Sequence, residues 1–91
     1  KFDSLGSNVM KLTIVVPEDL DFYGAFDPVL KKHCRHFNLE KVKTTDYGTL
    51  AELHYRIKLK DISKQKMLID EIRERNANLN VTVVRKATDR Y

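Results

Sequence analysis

The chain has 91 residues, the length of one domain, with 42% hydrophobic and 33% charged side chains. That is apolar material for one small core and too little for a large buried cleft, and the interspersed charges exclude a disordered chain. The net charge of +4 favours anionic partners mildly, and a single cysteine, Cys34, excludes an internal disulfide framework and fits a reducing compartment.

Residues 1–9, KFDSLGSNV, follow neither a helical nor a strand period and read as a linker or leader, with a folded domain expected over 10–84 and a polar tail over 85–91. No signal-peptide pattern opens the chain, and no apolar run approaches the roughly 18 residues a membrane helix needs. The start at Lys1 reads as a fragment or a processed chain. From Met10 the pattern alternates: Leu12, Ile14 and Val16 share one face, and Lys11, Thr13 and Val15 the other. Pro17, lacking an N–H, ends this strand. Phe26, Val29, Leu30, His33, Cys34 and Phe37 then recur at helical spacing, which predicts a helical region from about residue 22. It should be loosened at Gly24–Pro28, with Asp27-Pro28 as an alternative cap and first turn.

Residues 39–46 and 50–59 predict a hairpin with Tyr47-Gly48 at its tip, so that paired positions sum to 95. Val42 then opposes Leu53, Thr44 opposes Ala51, Lys43 opposes Glu52 and Lys41 opposes His54. A slip of one residue would set Val42 against Glu52, which the hydrophobic pattern rejects. Ser63 predicts the N-cap of a second helix, with Ile62 stapled onto Met67, a buried stripe of Leu68, Ile69 and Ile72, and a Glu71–Arg75 pair. Asn76, Ala77 and Asn78 stop it, with an asparagine in the left-handed cap. The last strand brings Leu79, Val81 and Val83 inward.

This order, strand-helix-strand-strand-helix-strand, predicts an α+β fold. Two right-handed crossovers would give a ferredoxin-like βαββαβ sandwich, a four-stranded antiparallel sheet with two helices on one face. The uncovered face would carry Lys11, Thr13, Val15, Lys41, Lys43, Thr45, Glu52, His54, Arg56, Lys58, Asn80, Thr82 and Val84. Five of these are formally positive and one is negative. Such a face is either a solvated, lysine-rich surface that discourages edge pairing or a platform for anions. The candidate anion-binding residues are Lys11, Lys41, Lys43, His54, Arg56 and Lys58. Val15 and Val84 add a small apolar strip that suits a subunit contact.

Other chemistry is weakly signalled. An RNA-recognition domain shares the element order but stacks bases on aromatic residues of its central strands. Here those strands present Thr13, Val15, His54 and Arg56, so no sequence-specific nucleic acid is expected. His33, Cys34 and His36 lie within four residues, but a structural zinc site needs four ligands and only the distant His54 could add to them. A cysteine on a buried stripe acts as a small hydrophobe. No metal, cofactor or catalytic set is expected, since there is no Gly-rich phosphate loop and no nucleophile–base spacing. Arg73, Arg75, Asn76 and Asn78 read as a helix cap, with an anion site as the alternative.

KLTIVVPEDLDF, VKTTDYGTLAELHYRIKLKD and IDEIRERNANLNV resemble the soluble C-terminal domain of an uncharacterised prokaryotic membrane-protein family, often encoded beside VTC-type polyphosphate polymerases. The resemblance spans about residues 10–83. That family carries Asn-Met-Gly where this chain has Asp46-Tyr47-Gly48, and Gly where it has Ala77. The resemblance implies a non-enzymatic accessory or regulatory domain on the cytoplasmic side, tethered to the membrane portion of the same full-length protein. Its basic face would meet polyphosphate or an anionic membrane surface. The rival expectation is an ACT-like oligomerisation or small-ligand-sensing module, which would form a homodimer.

Overall fold

The structure, a computed structural model, describes residues 9–85. The expected leader before Val9 and tail after Arg85 lie outside the described residues. Val9 and Arg85 themselves are strand residues, one beyond each predicted domain end. The elements are β1 (Val9–Pro17), α1 (Asp27–His33), β2 (Cys34–Thr45), β3 (Leu50–Leu59), α2 (Gln65–Arg73) and β4 (Val81–Arg85). A turn of three left-handed residues stands at Asp46–Gly48 and a short 3₁₀ turn at Ile62–Lys64. The four strands form one sheet in the order β2-β3-β1-β4, and every neighbouring pair is antiparallel. This is an α+β domain.

The core lies on one side of the sheet. Leu12, Ile14 and Val16 of β1 and Leu53, Tyr55, Ile57 and Leu59 of β3 are buried against Phe26, Val29, Leu30, Leu68 and Ile72 from the helical segments. Each such side chain removed from water contributes about 1.5–3 kcal/mol, so this strict alternation sets the strand phase. Val81 and Val83 of β4 pack at the margin, half-buried.

The first helix differs most from its expected form. It has seven residues, not the stretch from about residue 22 to Phe37. Residues before Asp27 form turns, with Ala25 N–H donating to Phe22 O and Asp27 N–H to Gly24 O. Cys34 enters the extended region at once (φ −118°, ψ 140°) and opens β2 with no intervening loop. The helical spacing of Cys34 and Phe37 coincides with a strand pattern in which Phe37 and Leu39 share a face. Pairing decides between them: β3 offers ten residues of backbone, and Cys34–Leu39 takes up its second half, from Leu59 to Tyr55.

The hairpin has the expected register near its tip, with Lys41, Val42, Lys43 and Thr44 opposite His54, Leu53, Glu52 and Ala51, but it shifts by one before Lys41, so Leu39 opposes Tyr55 and not Arg56. Its connection is longer than two residues. Asp46, Tyr47 and Gly48 all have positive φ (53°, 56° and 86°), and Thr49 N–H donates to Asp46 O. A positive φ is uncostly only at Gly48, which is why a glycine stands there. Val42 faces the helix side but remains 44% exposed near the tip, beyond the reach of the short α1.

In the second helical region Asp61, not Ser63, is the cap: its carboxylate accepts from Ser63 N–H at 3.0 Å and from Ser63 Oγ at 2.7 Å. Met67, expected to staple onto Ile62, is 48% exposed, and α2 begins at Gln65 after the 3₁₀ turn and not directly from a Ser63 cap. Leu68 and Ile72 are buried and Ile69 half-buried. After α2, both Ala77 (φ 60°) and Asn78 (φ 61°) are left-handed, so residue 77 itself takes the conformation expected of an asparagine. Asn76 is fully buried and its Nδ2 donates to Val15 O at 2.8 Å and Leu79 O at 3.2 Å. Val15 N–H donates to Asn80 O at 3.0 Å, so the end of β1 is held by residues just before β4.

Candidate anion-binding face

The side of the sheet away from the core is built by the outward residues of all four strands. On β1 these are Lys11, Thr13 and Val15, which stand beside Arg56, His54 and Glu52 of β3. On β2 they are His36, Asn38, Lys41, Lys43 and Thr45; on β4, Thr82 and Val84. All six predicted residues, Lys11, Lys41, Lys43, His54, Arg56 and Lys58, therefore share this face, with Lys11 across β3 from the two β2 lysines.

Their states differ. Lys11, Lys41 and Lys43 are exposed, and none forms an ion pair among the described residues. Arg56 is half-buried, with Nε 3.0 Å from Glu40 Oε2. That contact is a close ion pair without an aligned hydrogen bond, since the buried Nε–H lacks a partner of good geometry. His54 Nε2–H donates to Glu52 Oε1 at 3.0 Å, while Nδ1 lies 3.4 Å from Thr13 Oγ1.

Glu40 is the residue that reading by alternation missed. The ladder shifts register between Leu39 and Lys41, and this bulge turns Glu40 onto the open face beside Arg56. With Glu40 added, the residues that the sequence pattern placed on this face carry five positive charges (Lys11, Lys41, Lys43, Arg56, Lys58) against two negative (Glu40, Glu52), where the pattern counted one negative. A signal for it existed: Leu39 and Val42 both face the helix side although three residues apart, a step that regular pleating forbids. The effective cationic surface is narrower than predicted and centres on Lys11, Lys41 and Lys43.

The other candidate groups separate. His33 is buried on the helix side, where Nε2–H donates to Glu71 at 3.1 Å, while His36 pairs with Lys58 across the open face. Burial pushes the Cys34 thiol up to about 11, against the opposing pull of Lys60, so thiolate chemistry is suppressed at neutral pH. Among the described residues, no three of His, Cys, Asp and Glu are grouped as metal ligands. The predicted Glu71–Arg75 pair is replaced by contacts from Glu71 to Lys32 and His33 across the helix layer, both at 3.1 Å. Asn76 is a structural latch, and Arg73 Nη2 donates weakly to Asn78 O at 3.4 Å, which caps the end of α2.

Among the described residues, no helix is long and apolar enough to cross a membrane. No protein-family model matches the chain, and no curated protein matches it.

Proposed function

We propose that this chain is a non-enzymatic accessory domain on a ferredoxin-like frame, which binds a polyanion on its open sheet face. The observation that carries the reading is the placement of Lys11, Lys41 and Lys43 on one side of the sheet, exposed and without ion-pair partners among the described residues. The strand order β2-β3-β1-β4, with both helical segments contributing to a single core, supports the frame. The two carboxylates on the face already engage Arg56 and His54, which leaves the three lysines as its uncompensated charges. The sequence resemblance supports the setting: the cytoplasmic side of a full-length membrane protein, with polyphosphate or an anionic membrane surface as the ligand.

Polyphosphate of defined length, titrated by calorimetry at 50 and 200 mM salt, tests this. Three lysines neutralising three phosphates give a log–log salt slope of about −2.1, hence about a 20-fold loss between those salts. The triple change Lys11→Glu, Lys41→Glu, Lys43→Glu should abolish binding. Arg56 is left unchanged because a glutamate there would face Glu40 and confound binding with stability. Absence of binding at 50 mM salt, or binding unaffected by the triple change, overturns the reading.

A second reading, an ACT-like dimerising module, is favoured by Val84, which stays 52% exposed on the same face beside Lys11. Light scattering during size exclusion separates the two, since only this reading requires a concentration-dependent dimer.

A further inference from the structure

We propose that the cleft between the end of α1 and the turn after β3 is a site for a phosphate-type oxyanion, distinct from the open sheet face. The cleft measures about 170 Å³ and is lined by Lys32, His33, Lys60, Asp61 and Lys64. Four of these five side chains carry nitrogen. The fifth, Asp61, is an ionised carboxylate whose Oδ1 accepts from Ser63 N–H and Ser63 Oγ.

The walls are fixed independently of any ligand. Lys60 N–H donates to His33 O at 2.9 Å, which ties the turn to the last residue of α1. Lys64 N–H donates to Asp61 O at 3.0 Å and closes the 3₁₀ turn. Glu71 reaches in from α2 and holds both Lys32 Nζ and His33 Nε2 at 3.1 Å, so it orients two wall residues through one carboxylate oxygen. Lys60 and Lys64 have no ion pair among the described residues. Lys32, Lys60 and Lys64 thus line one concavity against two carboxylates, Asp61 and Glu71, an excess of one positive charge that favours an anion.

Shape selects the ligand class. Lys32 lines the cleft from α1, and Lys60 and Lys64 line it from the turn after β3. Lysines drawn from two elements suit an anion with several oxygens and more than one charge, and lysine is an effective point-charge partner for phosphate. Inorganic phosphate and the terminal phosphate of an ester or a polyphosphate chain share this chemistry.

The test is an amide NMR titration of the intact chain with inorganic phosphate, methyl phosphate and tripolyphosphate in turn, at constant ionic strength. Saturable shifts should centre on residues 32–33 and 60–64. The exposed double change Lys60→Ala, Lys64→Ala should weaken binding at least 10-fold, with folding checked by circular dichroism. In the triple change Lys11→Glu, Lys41→Glu, Lys43→Glu the saturable shifts at residues 32–33 and 60–64 should persist while any on the open face vanish, so failure here and failure of the open-face reading are told apart. Binding of inorganic phosphate assigns the site to the free ion, and binding confined to the other two ligands assigns it to a chain or ester end. Absence of saturable binding for all three, shifts confined to the open face, or an unchanged affinity in the double variant overturns the proposal.

Discussion

Replacing Asn76 should unlatch β1 from the end of α2. Its amide is fully buried and gives both hydrogens to backbone carbonyls, Val15 O at 2.8 Å and Leu79 O at 3.2 Å. A buried acceptor left without its donor costs about 1–3 kcal/mol. The longer bond to Leu79 belongs at the lower end of that range, so Asn76→Ala should lose about 2–4 kcal/mol. For a domain of this size that corresponds to a fall in Tm of about 10–30 °C. Asn76→Asp should do worse at neutral pH, because it aims carboxylate oxygens at two carbonyl oxygens. The introduced carboxyl would titrate higher folded than unfolded, so the folded state would hold the extra proton and stability would fall as pH rises. Each pH unit in that window costs up to about 1.4 kcal/mol. Urea denaturation at pH 5 and pH 7 measures both effects. A loss under about 0.5 kcal/mol for Asn76→Ala, or an Asn76→Asp deficit that does not grow with pH, would refute the reasoning.

Ala77 sits at φ 60°, where a Cβ is disfavoured, so Ala77→Gly should stabilise the domain by about 0.5–1 kcal/mol, read as a higher urea midpoint; an unchanged or lower midpoint contradicts it. Glu71 is held below the usual carboxylate range, first by Lys32 and then by His33. The stability it contributes is therefore present above the unfolded-state value and lost as pH falls through the lowered folded-state value. Glu71→Gln should flatten that part of the acid limb in urea titrations from neutral pH downward, and a wild-type-to-variant difference independent of pH would count against it.

The strand phases and the register at the hairpin tip were legible because strand chemistry is local and periodic. Leu12, Ile14 and Val16, and the odd-numbered residues of β3, can be buried together in only one phase, and the same alternation places the six basic residues opposite. Glu40 was not legible by alternation, since a bulge moves one residue across the face without changing composition. The basic cleft was not legible either, because Lys32 and Lys64 are far apart in the chain and meet only through the packing of α1 against α2.

The sequence alone determined the class of fold, the hairpin pairing and which face of each strand is polar, since all three follow from side-chain period and turn chemistry. Only the tertiary structure decided where α1 gives way to β2. Residues 34–37 satisfy both periods, and the unpaired backbone of β3 settles the choice. It also decided which charges are spent. Ion pairs such as Glu40–Arg56 and Glu71–Lys32 depend on distances across strands and helices that no one-dimensional pattern encodes.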